Sequence, residues 1–383
     1  MPFAYLDRDL FDRNIREIAR AAGGKTVRVA SKSIRSVEAL RYILDSDSRF
    51  QGVMCYTARE AAFLAGRGFD DLLLGYPTWE ENGIAALADL IGEGRRIVFM
   101  ADGLEHVEQL EAIARKRGVR LPLCLDIDMS SDYPGLRFGV WRSPLSDWER
   151  VRPVAERIAS SEWVRLEGVM GYEAQIAGVG DLVPGAAIKN RLIRALKKRS
   201  IREVARRRAD IVDRLRSMGL SPGFVNAGGT GSLSSSREEE AVTELTAGSG
   251  FYSPGLFDYY RGIRYAPAAG FAVEVVRKPR SDIVTCLGGG YTASGAADRT
   301  KLPKPFLPEG LELFALEGAG EVQTPLRLPE GSSPGLLELG DPVFFRHAKA
   351  GELCERFDRL LVVSGGAIVD SFSTYRGMGE NFL

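Results

Sequence analysis

Histidine is scarce: the 383 residues contain two, His106 and His347. The four cysteines, Cys55, Cys124, Cys286 and Cys354, are scattered and form no CxxC pair. That spacing argues against a zinc ribbon, a dithiol redox centre and a secreted disulfide framework. Three of them sit in apolar, strand-like runs and read as reduced core residues. Charge of one sign is also missing, because 51 basic side chains meet 51 acidic ones, leaving no bulk field to recruit nucleic acid or a membrane surface. No apolar run reaches spanning length, and the opening MPFAYLDRDLFDRN has no basic lead, apolar core or small-residue cleavage site. The expectation is a cytoplasmic protein that binds neither nucleic acid nor membrane.

What is present is alternation. From Val27 to about residue 250, eight apolar runs (VRVAS, GVMCY, DLLLGY, RIVFM, LPLCLDID, VRLEGVMGY, GFVNAGG and AVTELTAG) are separated by amphipathic stretches with helical spacing. Such a pattern predicts parallel strands joined by crossover helices. An open doubly wound sheet would place fingerprint glycines after its first strand, where this chain has SKSIRS. The fold class expected is therefore α/β, a (β/α)8 TIM-type barrel. Beyond about residue 265 the texture changes to strands linked by Gly, Pro and charged turns, which predicts a C-terminal, mainly-β domain. The expected division is a strand at 1–6 joining the β domain, a barrel over 7–264 whose first helix is N-capped by Asp7, and the β domain over 265–383. The basic stretch IKNRLIRALKKRSIREVARRRADIVDRLRSM lacks aromatic residues for base stacking and reads as the solvated face of a long crossover helix.

Lys32, in VRVASKSIRS, ends the first barrel strand, so its amine enters the rim where barrel active sites are built. Partly desolvated and near other cations, such an amine becomes a nucleophile toward carbonyls, a Schiff-base lysine; alone, it also fits a snorkelling surface residue. The stretches NAGGTGS (226–232) and AGSGFYSPGLFDYY (247–260) end the seventh and eighth runs. Glycines let backbone N–H groups converge on an anion, and the hydroxyls of Thr230, Ser232 and Tyr252 add donors. A phosphate cup at the last two strands, beside a lysine on the first, fits pyridoxal 5′-phosphate.

These stretches, with FAYLDRDLFDRNI, DIDMSSDYPGLRFGV, GVMGYEAQIAG and FDRLLVVSGGAIVDSFSTYRG, resemble the fold-type III pyridoxal-phosphate enzymes with an alanine racemase N-terminal-like barrel. Within them the likeness is to the D-threonine aldolase and D-serine dehydratase group. The resemblance implies that Lys32 carries the cofactor and serves as base for the substrate α-proton. It places Arg137 near the ring, with a rim salt bridge as the plain alternative, and Tyr172 and Gln175 against the ring, with a core role as the alternative for the tyrosine. Gly228, Gly229, Thr230, Gly231, Ser249 and Tyr252 would hold the phosphate. Asp258 and Tyr259 would lie at the barrel exit in a structural role.

Metal-activated members of that group carry a histidine followed two positions later by cysteine or aspartate. In FFRHAKAGELCERFDRL, His347 is present but Lys349 stands at the second place, and an ammonium has no lone pair to donate. Glu352 or Cys354 could substitute if the loop folds back, so a divalent metal stays open, while His347 is the imidazole for acid–base work or contact with a β-hydroxyl. The expected activity is a pyridoxal-phosphate lyase, an aldolase or a dehydratase/deaminase, acting on a small D- or β-hydroxy amino acid as a homodimer. An amino-acid racemase, with Tyr291 as a second base from a neighbouring subunit, is the first alternative, and a non-catalytic cofactor-binding protein is the second.

Overall fold

The apolar runs become short parallel strands because neither of their faces meets water: every residue of the strands at 72–74, 97–101 and 121–126 is buried. The computed structural model describes residues 1–296, 298–333 and 335–383. The chain opens with β1 (Phe3–Asp7) and a helix, Arg8–Ala22, whose N-cap Asp7 accepts a hydrogen bond from the Leu10 N–H at 3.0 Å. Then come β2 (Thr26–Ala30), β3 (Phe50–Cys55), β4 (Leu72–Leu74), β5 (Ile97–Ala101) and β6 (Leu121–Asp126). A small hairpin, β7 (Ser131–Tyr133) and β8 (Leu136–Phe138), precedes β9 (Val164–Gly171), β10 (Phe224–Ala227) and β11 (Glu244–Ala247). The barrel closes in the order β10-β11-β2-β3-β4-β5-β6-β9. Ser36, Thr57 and Asp147 each accept a backbone N–H at the start of a crossover helix, which satisfies donors the helix cannot.

Closure makes β2 and β11 neighbours, with Val29 opposite Ala247, and β11 and β10 neighbours, with Leu245 opposite Ala227. The turn bearing Lys32 and both glycine loops therefore leave one rim side by side. The hairpin was not expected; it forms at a Tyr-Pro-Gly-Leu turn with Gly135 at φ +71°. The long basic helix spans Ala187–Ser217 and buries Ile193, Val204, Ile211 and Leu215 along one stripe, leaving most of its cations on the outer face.

The second sheet uses β12 (Ala269–Arg280), β13 (Ile283–Leu287), β14 (Lys304–Leu307), β15 (Glu312–Leu313), β16 (Gln323–Arg327), β17 (Pro342–Arg346), β18 (Arg359–Ser364) and β19 (Ala367–Ser373). β1 lies between β12 and β18, antiparallel to the first and parallel to the second. Phe271 and Phe345 stack at 5.2 Å in its core. Three ionic contacts at two places tie barrel to sheet. Asp258 receives Lys304 and Arg346, each at 2.9 Å, and Arg35, three residues after Lys32, meets Glu355 at 2.6 Å. Among the described residues no helix is long and apolar enough to cross a membrane.

Candidate active site

Lys32 sits in a 3-10 turn, Ser31–Ser33, that caps β2 and points its side chain into a cleft at the barrel rim. The cleft is open at its mouth. Lys32 Nζ meets the Tyr76 hydroxyl at 2.6 Å. Burial alone raises a phenol, yet the Lys32 charge, its hydrogen bond and then Arg142 carry the Tyr76 hydroxyl below its ordinary value. Arg142 lies between two rings, 5.8 Å from Tyr76 and 5.6 Å from Tyr172. Burial pushes the Tyr172 phenol up to about 12, so it stays neutral. Deeper at the end of β6, burial and the neighbouring Asp102 push the Asp126 carboxyl up to about 8.

Beside Lys32, Gly228, Gly229, Thr230, Gly248 and Ser249 line the same cleft. Gly228 adopts φ +87°, a left-handed conformation that favours glycine. A Cβ at Gly229 would stand 2.8 Å from the Tyr172 ring, and one at Gly248 would stand 2.9 Å from Ser33 Oγ, so the backbone itself forms the surface here. The Gly229 and Gly250 N–H groups are taken by Ser232 Oγ and Thr230 Oγ1. Those of Thr230 and Ser249 have no acceptor among the described residues. The free N–H groups of Thr230 and Ser249 and the Ser249 and Ser33 hydroxyls thus line the same cleft as the amine. That combination fits pyridoxal phosphate, whose phosphate needs donors and whose aldehyde needs the amine.

The structure brings Lys32, Tyr172, Gly228, Gly229, Thr230 and Ser249 to this cleft, but it places other expected residues elsewhere. Arg137 is held by Asp128 at 2.7 Å and Asp132 at 3.0 Å and packs on Trp141; these two carboxylates neutralise it, and Arg142 is the arginine of the cleft. Gln175 turns inward to the Met129 carbonyl at 2.5 Å. Gly231 packs against the Ala177 backbone and faces a separate cavity behind the loop. Tyr252 is fully buried with its hydroxyl on the Ile34 carbonyl at 3.1 Å, so an apolar pocket outcompetes an anion for its ring. Tyr76 and Arg142 were not anticipated. For Tyr76 a signal existed, since it follows Gly75 directly after β4 and strand ends face this rim.

His347 lies in an adjoining basin with Tyr291, Ser294, Lys349 and Glu352. The loop carrying it packs on the lysine turn, because a Cβ at Gly351 would collide with the Lys32 carbonyl. Burial, then Arg346, lowers the His347 imidazole to about 3, and its two ring nitrogens have no hydrogen-bond partner. Burial also lowers the Lys349 ammonium, against Glu352, and Lys32 is close enough to add repulsion. Tyr291 packs on Phe271 and Phe357 of its own chain, so within one chain it already has a place beside His347. The residues do not fit a metal ion. Lys349 Nζ bonds Ser294, Glu352 is occupied by Ser294 N–H and hydroxyl, and the Cys354 thiol is buried against the Ile34 carbonyl. No group of three ligating side chains exists among the described residues.

Comparison with known proteins agrees with this architecture. The family model described as alanine racemase, N-terminal domain, matches residues 6–254. Two 3-hydroxy-D-aspartate aldolases of Paracoccus denitrificans are 27% and 28% identical over 250 residues, which is 65% of this chain and 59% of each relative. The chain thus spans less than two thirds of those curated relatives. Among solved structures, D-threonine aldolase from Filomicrobium marinum superposes with a TM-score of 0.82 at 17% identity, covering 98% of this chain and 95% of that one. D-threo-3-hydroxyaspartate dehydratase from Delftia sp. HT23 gives 0.78 at 17% identity, covering 98% and 97%. At such identities these two likenesses establish the fold.

Proposed function

The chain belongs to the alanine racemase N-terminal domain family, and from that premise we propose that it is a pyridoxal-phosphate lyase for small β-hydroxy D-amino acids, an aldolase or a dehydratase. One observation carries the reading: the Lys32 amine and the unpaired N–H groups of Thr230 and Ser249 line a single cleft. The relatives named for 3-hydroxy-D-aspartate support the substrate class.

Pyridoxal phosphate, when bound, supplies the electron sink for a bond breaking at the substrate α-carbon. Thr230, Ser249 and Ser33 hold its phosphate, and Lys32 Nζ takes and returns the proton. Tyr76, hydrogen-bonded to that nitrogen, keeps the amine aimed into the cleft, and Tyr172 closes it against water with a neutral ring. On the sheet side, the uncharged His347 imidazole accepts from the substrate β-hydroxyl at working pH, and the Lys349 ammonium attracts a distal carboxylate. No divalent ion enters this scheme.

In the cell we place the enzyme in the cytoplasm as a homodimer. Large apolar side chains support the second copy: Trp141 beside the cleft is 84% exposed, and Ile188 on the long helix is 88% exposed, a surface that association would cover. The test of function is incubation of the holoenzyme, with and without chelator, with D-threonine, D-serine and the 3-hydroxyaspartate isomers. Aldehyde or keto-acid release that survives chelation is expected. Loss of optical rotation without product would establish the racemase instead, and an unchanged cofactor spectrum with every amino acid would establish a binding protein.

A further inference from the structure

Behind the glycine loop, Glu173 follows Tyr172 just after β9 and is fully buried. Its Oε2 receives Arg208 Nη2 at 3.0 Å, and its Oε1 receives the hydroxyls of Ser232 and Ser236, each at 2.6 Å. The same guanidinium donates to the Gly171 carbonyl at 2.8 Å and pairs with Glu239. Arg208, Ser232 and Ser236 are at most 1% exposed, so water does not compete for these bonds.

The direction of each bond is determined from the ionic end. A guanidinium only donates and a carboxylate only accepts, so both serine protons go to Glu173. The Gly229 carbonyl, 3.4 Å from Ser232 Oγ, is the poorer acceptor for a single proton. Ser232 Oγ keeps its lone pairs, and the Gly229 N–H donates to it at 3.1 Å. The Ser232 N–H returns to the Gly229 carbonyl at 2.9 Å, which closes the turn. Ser232 therefore has no proton to give an anion; its hydroxyl holds the loop in shape. The Ser236 hydroxyl meets the same carboxylate oxygen but makes no bond to Gly228, Gly229 or Thr230 among the described residues.

We propose that Glu173 is a positioning residue: acting through Ser232, it fixes the glycine loop in the conformation that leaves the Thr230 N–H free for the cofactor's phosphate. The proposal rests on the cofactor reading above. With the Gly229 N–H turned to Ser232, the next donor along the chain is the Thr230 N–H, which has no acceptor among the described residues and belongs to a residue lining the cleft. A run of glycines has many conformations open to it, and each internal bond removes some of them before a ligand arrives. Shielded from water, the bonds of this network reinforce one another. Adjacent residues act on the loop from two sides, since the Tyr172 ring leaves no room for a Cβ at Gly229 while Glu173 holds Ser232.

The test is absorbance titration of the full chain, freed of cofactor, with pyridoxal 5′-phosphate and with pyridoxal, which offers the same aldehyde to Lys32 and has no phosphate. The wild type is expected to prefer the phosphorylated form. Glu173→Gln, which keeps the shape but has one acceptor oxygen instead of two, and Ser232→Ala should each weaken that form by roughly 10- to 100-fold and leave pyridoxal unchanged. The double variant should lose no more than either alone, because both break one line of contact. Ser236→Ala should bind as the wild type does. Equal losses for both ligands, or a Ser236→Ala loss matching that of Ser232→Ala, would mark the network as merely structural and overturn the proposal. Wild-type affinity in Ser232→Ala, or additive losses in the double variant, overturns it too. A wild type that binds neither ligand overturns the cofactor reading and the proposal together. Should Glu173→Gln fail to fold, the two serine variants still decide.

Discussion

At the scale of single residues, the site depends on what surrounds one amine. Lys32 was legible because a lysine at a strand end, in a chain that alternates strand and helix, has its side chain delivered to the rim. Tyr76 was not, since a tyrosine after Gly75 reads equally as core packing until barrel closure brings it within 2.6 Å of Lys32. Tyr76→Phe removes a hydrogen bond to a charged group, a loss of about 1.5–3 kcal/mol. It should lower kcat/KM by roughly 10- to 100-fold with cofactor content unchanged; an activity equal to wild type would remove Tyr76 from the site. Asp126 makes a prediction of opposite character. Its carboxyl is at about 8 when folded against an ordinary 3.8. Between those values the unfolded chain has given up a proton that the folded chain keeps, so stability falls as pH rises, by up to about 1.4 kcal/mol per unit. Above the folded value the loss is complete. Asp126→Asn abolishes that slope, so urea denaturation should show its advantage over wild type growing from pH 4 to pH 8. Parallel curves would contradict the assignment.

At the scale of elements, the eight barrel strands were readable because each is a largely apolar, largely buried run set between stretches with helical spacing. The hairpin over 131–138 was not, because three-residue strands carrying Ser, Asp and Arg have no periodicity to detect, and this hairpin brings Arg137 to its own Asp132 and to Asp128 just before it. Sequence resemblance placed Arg137 at the ring; in the fold its guanidinium pairs with Asp128 and Asp132 and does not line the cleft. The loop after β10 shows a similar division of labour. Gly228 and Gly229 face the cleft, while Gly231 presses on the Ala177 carbonyl from behind. Gly231→Ala puts a methyl against that carbonyl, and overpacking of this kind costs about 1–3 kcal/mol. The expected result is lower thermal stability together with weaker cofactor retention on dialysis, even though the residue does not line the cleft. Full retention with unchanged stability would show that the loop tolerates displacement.

At the scale of the whole molecule, β1 joins the ends of the chain: it pairs with β12 and β18 and then feeds the first barrel helix. FAYLD was legible as a strand, but its position between two strands some 270 and 355 residues away depends on pairing that no local pattern encodes. The same long-range packing sets the His347 loop on the Lys32 turn, with Arg35 bridging to Glu355, so a basin lined by the β domain lies beside the cleft at the barrel rim. That Lys349 stands at the second ligand place was visible in the sequence, which left Glu352 and Cys354 open as substitutes; the occupation of Glu352 by Ser294 required the fold.

Everything in this account depends on an imine at position 32, and borohydride reduction of the holoenzyme followed by peptide mapping tests it most directly. The predicted result is loss of the visible cofactor band with a single stable label on Lys32, and no label in Lys32→Ala. A label on any other lysine, or a colourless protein that takes up no added cofactor, would contradict it.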